Sequence, residues 1–441
     1  MQRIYFSFFF ILIGHFLFGQ QSLLQSGPML GYSELREVLL WVQTKEAANV
    51  QFYYWPKGQS DQKQSTTSIR TSAEHAFVAK LIADKVEPST TYEYEVQING
   101  QSLSFDYPTQ FKTQPLYQYR TDAPDFKMAI GSCAYINETQ YDRPGRPYGG
   151  DYQIFTKIHE QQPDAMLWLG DNIYLREVDW FTQTGIHARY THARSLPEMQ
   201  ALLASTNHYA IWDDHDFGPN DSDRSFIHKD RTLAAFQLFW GNPSYGLPDS
   251  KGITSFFQYH DVEFFLLDNR YHRSPNKRKT GKRTILGKKQ LEWLIDALAS
   301  SRSAFKMVAL GGQVLNTAPV YENYANHHKA ERDYLLQRIE EENITGVIFL
   351  DGDRHHTELS SYTNDVGNVL YDITVSPLTS GSGRNPDEGN TNRVEGTFVG
   401  QRNFGILEFT GPRGERKLTV RVYDANGKEL WMREIMQPKK K

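Results

Sequence analysis

Asp164-Ala165-Met166-Leu167-Trp168-Leu169-Gly170-Asp171-Asn172-Ile173-Tyr174 joins a short apolar run to an abrupt Gly-Asp pair. Five apolar residues bounded by polar ones suit a buried strand. A strand that stops at Gly-Asp offers a carboxylate at its carboxyl end, where open α/β sheets bind their ligands. Gly170 permits a tight turn or a close backbone approach. Asp171 and Tyr174 then lie one short loop apart, and both can bind a metal through oxygen. The same pair also makes an ordinary turn, so the reading depends on partners elsewhere in the chain.

Three further apolar runs supply them. Phe126 to Ile130 ends in Gly131-Ser132-Cys133, and with a helical stretch from Asp151 to Gln161 it forms a βαβ unit leading into Ala165. His208 to Trp212 runs into Asp213-Asp214-His215-Asp216-Phe217-Gly218-Pro219-Asn220. Gly346 to Leu350 ends in Asp351-Gly352-Asp353-Arg354-His355-His356. Four such ends in a parallel sheet would converge on one edge. So many carboxylates together repel one another, and cations are the simplest compensation. A shared Asp171 would hold two metals ~3.5–4 Å apart, the spacing of two-metal hydrolytic sites.

The donor types constrain the metals. Cys133, Asp171, Tyr174 and His355 suit a transition metal, and thiolate and phenolate together favour trivalent iron, with zinc as an alternative. Asp171, Asp214, Asp353 and Asn220 make an oxygen-rich set for Ca²⁺, Mg²⁺ or Mn²⁺. His215 is placed to hand a proton to a leaving oxygen, and Arg354 to hold phosphate. His356, next to His355 on an extended segment, should face the other way. Asp213 serves equally well as a loop cap, and Asn220 as a turn residue beside Pro219.

The rest of the chain frames this site. Its 441 residues, 39% hydrophobic and 23% charged, suffice for a large core and more than one domain. Between residues 24 and 114, short aromatic and β-branched runs alternate with turns such as Asn99-Gly100, which reads as an all-β sandwich of fibronectin kind. A Pro-bearing polar linker follows, and a catalytic domain is expected over 122–437. Arg3 and the apolar run Ile4 to Phe18 read as a signal peptide over residues 1–20, giving a periplasmic or secreted protein. With a net charge of −4, no specific nucleic-acid binding is expected, nor a transmembrane segment or an obligate protein partner. Cys133 is the sole cysteine, which excludes an internal disulfide. Pro275 to Lys289 carries seven Lys and Arg and reads as a solvated loop or as a rim attracting anions.

Taken together, Gly131-Ser132-Cys133, Gly170-Asp171-Asn172-Ile173-Tyr174, Trp212-Asp213-Asp214-His215-Asp216 and Leu350-Asp351-Gly352-Asp353-Arg354-His355-His356 resemble the alkaline phosphatase D family. This is the PhoD-like branch of the calcineurin-like metallophosphatases. The resemblance implies a four-layer α/β/β/α domain with a bimetal or trimetal centre. It implies Fe³⁺ on Cys133, Asp171, Tyr174 and His355. It also implies Ca²⁺ on Asp171, Asp353 and either Asp214 or Asn220. The implied reaction is hydrolysis of small phosphate monoesters or diesters by a metal-bound hydroxide, with Asp214, His215 and Arg354 as catalytic residues. A phosphodiesterase or phospholipase D-type activity on lipid or nucleotide diesters is the rival within enzymes. A non-catalytic surface-binding protein is the rival outside them.

Overall fold

A computed structural model describes residues 23–383 and 385–439. The expected signal peptide falls outside the described residues. The chain forms two compact units, one running up to Leu116 and including Arg194–Asn207, the other Tyr117–Ala193 with His208–Lys441.

In the first unit, β1 (Leu24–Ser33), β2 (Val38–Thr44) and β6 (Val78–Ala83) pair antiparallel. A second sheet is built on β3 (Asn49–Pro56) and β7 (Thr91–Ile98), extended by the short strands β4 (Gln64–Ser65), β5 (Ile69–Arg70), β8 (Gln101–Ser102) and β9 (Gln110–Lys112). Strand β7 alternates buried and half-buried residues, as a one-sided sheet requires. Its inward Tyr92, Tyr94 and Val96 meet Leu40, Val42, Phe52 and Leu81 in one core. The Tyr94 hydroxyl donates to the Ala204 carbonyl (2.7 Å), which ties the helix Gln200–Ser205 into this unit. This is the expected sandwich.

The second unit holds two mixed sheets. One runs in the order β21 (Glu429–Met436), β20 (Lys417–Asp424), β19 (Asn403–Thr410), β10 (Phe126–Gly131), β11 (Ala165–Leu169), β12 (Asn207–Ile211). The other runs β13 (Ser255–Tyr259), β14 (Val262–Leu266), β15 (Lys306–Ala309), β16 (Val347–Asp351), β18 (Val369–Thr374), β17 (Glu358–Thr363). Strands β14, β15, β16 and β18 are parallel, with antiparallel strands at both edges. Strands β11, β12, β15 and β16 are buried along their whole length, as strands covered on both faces must be.

Aromatic pairs fill the space between the sheets: Tyr209 stacks on Phe257 at 3.8 Å, and Phe126 lies 5.0 Å from Tyr259. Helices cover the outer faces. Lys288–Ser300 and Lys329–Glu341 turn Leu291, Leu294, Ile295, Leu298, Leu335 and Ile339 onto Phe265, Val308 and Phe349. On the other sheet, Phe155 of helix Ile154–Glu160 stacks on Trp168, and Phe236 of helix Lys229–Phe239 meets Trp212 edge-on. The result is an α/β/β/α sandwich.

One expectation is corrected. The four ligand-bearing strand ends do not share a single parallel sheet: β10, β11 and β12 lie in one sheet and β16 in the other. A buried apolar run reads alike in either sheet, so the pattern carries no record of the partition. The sheets meet at the ends of these strands through small residues. A side chain on Gly131 would come within 2.6 Å of Leu378, and one on Gly352 would overlap Ser132.

Two outcomes follow. Phe349→Ala, at a fully buried position, should cost about 3–5 kcal/mol, measured by denaturant unfolding. Gly352→Ala should disrupt the junction of β10 and β16 far more than its size suggests. Its unfolding midpoint should fall, whereas Gly367→Ala, with nothing within 4 Å, loses only through its positive φ.

Candidate metal centre

The loops after β10 and β11 are locked together by their backbones. The Cys133 N–H donates to the Gly170 carbonyl (3.2 Å) and the Ala134 N–H to that of Asp171 (2.8 Å). Gly170 adopts φ +93°, and a side chain there would press on Asp213 at 2.8 Å. Cys133, Asp171, Asp353 and His355 all have φ between 52° and 62°. Left-handed backbone at a non-glycine residue costs on the order of 1–3 kcal/mol, and it persists where surrounding structure holds it. Four such residues in one place mean that the fold is aiming these side chains.

They converge. Cys133 Sγ, Asp171 and His355 offer donor atoms within 4.8 Å of one another. The Tyr174 hydroxyl donates to Asp171 Oδ2 (3.1 Å) and lies 3.3 Å from His355 Nε2. Tyr148 stands behind, its hydroxyl 3.0 Å from His355 Nδ1. Ser376 and Ser132 donate their hydroxyls to Cys133 Sγ at 3.2 and 3.5 Å. Such bonds favour a thiolate, yet burial still pushes the Cys133 thiol up to about 12. Burial also raises Asp171 well above the usual carboxylate range, and Asp214 and Cys133 add to it. Tyr174 is raised by burial and by Asp171.

A carboxylate group adjoins this set. Asp213, Asp214 and Asp353 cluster within 4.8 Å, as do Asp171, Asp214 and His215, and also Asp214, Asp221 and Glu322. Arg270, fully buried, is their counter-ion. Its Nε donates to Asp213, its Nη2 to Glu322 at 2.8 Å, and Nη2 lies 3.8 Å from Asp214. Burial works to raise Asp214, but His215, Arg270 and the Asp221 N–H (2.6 Å) outweigh it and hold the carboxyl low. Asp353 has less help: burial raises it, reinforced by Asp213 and Glu322, and Arg354 opposes them only in part.

His215 lies against Tyr174, ring centres 4.2 Å apart. Burial lowers its pKa against the opposing pull of Asp214 and Asp213, and Nδ1 has no partner among the described residues. Asp216 is structural: its carboxylate accepts from the Asn172 N–H (3.1 Å), the Asn172 amide (3.0 Å) and the Asp213 N–H (3.0 Å).

A cavity of about 330 Å³ opens over these groups. Asp171, Tyr174, Asp214, His215, Asn220, Asp353, Arg354 and His355 line it. Cys133 is buried beneath. Arg354 is fixed at the wall, donating to the Tyr321 carbonyl (2.8 Å) and to Glu388 (2.6 Å). His356 points elsewhere, 3.7 Å from Glu358 and 3.9 Å from Glu388. Asp213, read as a loop cap, is the N-cap of the short helix Asp214–Phe217, in a capping box with Asp216, and its carboxylate also accepts from Arg270 and from the Asn269 amide (2.6 Å).

Sequence reasoning named none of Asp221, Arg270, Tyr321 and Glu322 as site residues, but it set the loop Tyr141 to Gly150, which supplies Arg143 and Tyr148, at the border of the site. Arg270 had a signal: Asp268-Asn269-Arg270 follows β14 just as the other motifs follow their strands. The others lie on long loops without a period to mark them.

The same chain was compared with known proteins. The family model described as PhoD-like phosphatase matches residues 128–423. A model of a domain of unknown function, DUF7800, matches residues 21–116. Alkaline phosphatase D of Bacillus subtilis (strain 168) is 23% identical over 409 residues, covering 81% of this chain and 66% of that relative's length. A solved structure of PhoD superposes with a TM-score of 0.74 at 17% identity, over 95% of this chain and 92% of that one. The purple acid phosphatase PPD1 from yellow lupin (Lupinus luteus) seeds gives 0.69 at 12% identity, over 93% of this chain and 74% of its own. Since the family match takes in more than half of its residues, the chain belongs to the PhoD-like phosphatase family.

Proposed function

We propose that this protein is an exported, metal-dependent phosphoesterase acting on small phosphate monoesters or diesters. The observation that carries the reading is the pair of donor sets that share Asp171 on the floor of one cavity. The donors fit metal ions. Burial raises Cys133, Asp171, Tyr174 and Asp353, which disfavours their bare anions, and a cation among them would offset that cost. In this reading Cys133, Asp171, Tyr174 and His355 hold Fe³⁺, and Asp171, Asp214, Asp353 and Asn220 hold Ca²⁺.

When bound, such ions supply Lewis acidity and charge neutralisation at phosphorus. The chain's own groups do the rest. Arg354, held by Glu388 and the Tyr321 carbonyl, turns its charge to the cavity and orients an anionic phosphoryl group. His215, unpartnered at Nδ1, is set to carry a proton at the leaving oxygen. Asp214, already ionised, anchors the shared floor. Preference for lipid or nucleotide diesters is the second reading. The exposed aromatic lip of the cavity, Tyr321, favours it by offering a surface for a second ester group.

In the domain reading, residues 24–114 form an accessory β module and 122–437 the catalytic unit. The apolar run Ile4 to Phe18 supports export to the periplasm or medium. No helix among the described residues is long and apolar enough to cross a membrane.

The test is metal analysis of the purified protein, followed by hydrolysis of p-nitrophenyl phosphate and bis(p-nitrophenyl) phosphate. Asp171→Ala should lose bound metal and at least ~100-fold in kcat/KM on the better ester. A metal-free Asp171→Ala protein with wild-type activity would overturn the site. Chelation should abolish activity, and iron with calcium should restore it better than magnesium alone. Arg354→Ala should raise KM more than it lowers kcat, by roughly tenfold, if the guanidinium binds phosphate in ground and transition states alike.

A further inference from the structure

Arg354, the guanidinium used so far, comes to the cavity with a carboxylate of its own. Its Nη2 donates to Glu388, whose side chain is 6% exposed, at 2.6 Å, and its Nη1 to the Tyr321 carbonyl at 2.8 Å. That pair can orient phosphoryl oxygens but adds little net charge. A second guanidinium, Arg143, lines the same cavity. It is exposed, and among the described residues its side chain forms no ion pair and no hydrogen bond; only its backbone N–H donates, to Asp142 at 2.7 Å.

What places Arg143 is Tyr148. The guanidinium carbon lies 4.6 Å from the centre of the Tyr148 ring. The ring itself is fixed on several sides. Its hydroxyl lies 3.0 Å from His355 Nδ1, Tyr135 meets it edge-on at 4.9 Å, and a side chain on Gly381 would come within 2.6 Å of it. Arg402 braces the backbone behind it, donating to the Tyr148 carbonyl (3.0 Å) while Asp151 (2.9 Å) and the Ser380 carbonyl (2.9 Å) hold Arg402. Tyr148 is thus a rigid platform, and Arg143 lies on it. Stacking on a ring face leaves the N–H donors at the guanidinium edge free, and that edge matches phosphate oxygens two at a time. The charge also reaches the donor set: burial lowers the pKa of His355 and Arg143 adds to it, against Asp353 and Asp214.

We propose that Arg143 is a specificity-determining residue that reads the charge of the phosphoryl group and favours dianionic monoesters over monoanionic diesters. This rests on the cavity being a phosphoester site. The cavity holds about 330 Å³, so a phosphoryl group on its floor lies within reach of an arginine on its wall. A monoester carries close to two negative charges at neutral pH and above, and a diester one. A cation with no carboxylate beside it gains more from the first, whereas Arg354 with Glu388 treats the two more nearly alike.

The experiment uses the metal-loaded protein above neutral pH, with rates referred to measured metal content. The ratio of kcat/KM for p-nitrophenyl phosphate to that for bis(p-nitrophenyl) phosphate is taken for wild type, Arg143→Gln, Arg143→Lys and Arg146→Gln. Arg143→Gln should lower the ratio about tenfold, and Arg143→Lys should recover part of it. Arg146 lines the neighbouring cavity and not this one, so Arg146→Gln should leave the ratio unchanged. Calorimetric titration with inorganic phosphate and with dimethyl phosphate repeats the comparison without catalysis. There Arg143→Gln should weaken phosphate about tenfold and dimethyl phosphate much less. Equal ratios in wild type and Arg143→Gln, or an equal fall in Arg146→Gln, would overturn the assignment even in an active phosphoesterase. A protein that hydrolyses neither ester yet binds phosphate through Arg143 would sink the phosphoesterase reading alone. If it neither hydrolyses the esters nor loses phosphate affinity in Arg143→Gln, both fall.

Discussion

One guanidinium, Arg270, is buried among five acidic side chains: Asp171, Asp213, Asp214, Asp353 and Glu322. It reaches three of them directly. A buried carboxylate without a partner is so unfavourable that it takes up a proton or a cation instead. The excess of acids over fixed positive charge, Arg270 at the centre with Arg273 sharing Glu322 and Arg354 beside Asp353, therefore governs this site. Glu322 stays low against Arg270 and Arg273, and Asp214 under the combined pull of His215, Arg270 and the Asp221 N–H, whereas burial keeps Asp213 raised even beside Arg270. Asp171 and Asp353, which Arg270 does not reach, are left raised.

Everything else in the second unit keeps this arrangement rigid. The donors come from the ends of strands in two sheets, and those ends touch through Gly131, Gly170 and Gly352, where a side chain would collide with a neighbouring loop. Left-handed backbone at Cys133, Asp171, Asp353 and His355 is sustained by that contact and by bonds such as Cys133 N–H to the Gly170 carbonyl and His355 N–H to the Ser376 hydroxyl (3.1 Å). The two aromatic-filled cores flank the junction, so strain at the site is opposed by packing on both sides.

Much of this was legible beforehand, for a definite reason. A strand buried on both faces is an unbroken apolar run, and a donor just after it has a known position in space. That rule located Cys133, Asp171, Asp214, Asp353 and His355. It located Tyr174 and His215 as well, since they follow within one turn of chain. It also separated His355 from His356, which face opposite sides of an extended segment. The rule says nothing about loops. Glu322, Asp221 and Tyr148 are brought in by long irregular segments whose course depends on tertiary packing. Nor could it divide the strands between two sheets. Arg270 lay within its reach, because Asp268-Asn269-Arg270 closely follows β14, but a guanidinium carries no mark that sets it among metal-donor side chains.

The position of that cation explains why the centre has two unlike halves. Arg270 stands on the carboxylate side; among the described residues no cation pairs directly with Cys133, Tyr174 or His355, and Ser132 and Ser376 supply hydroxyl bonds to the thiol. Hydroxyls lower a thiol less than burial raises it, so that half favours an ion of high charge that can displace protons from thiol and phenol. On the other side Asp214 is held low at the outset, and in the proposed reading a divalent ion bound through oxygen would meet that lesser demand. Asp171 belongs to both halves, raised by its neighbours on each side, and is the residue whose proton a cation in either half would displace.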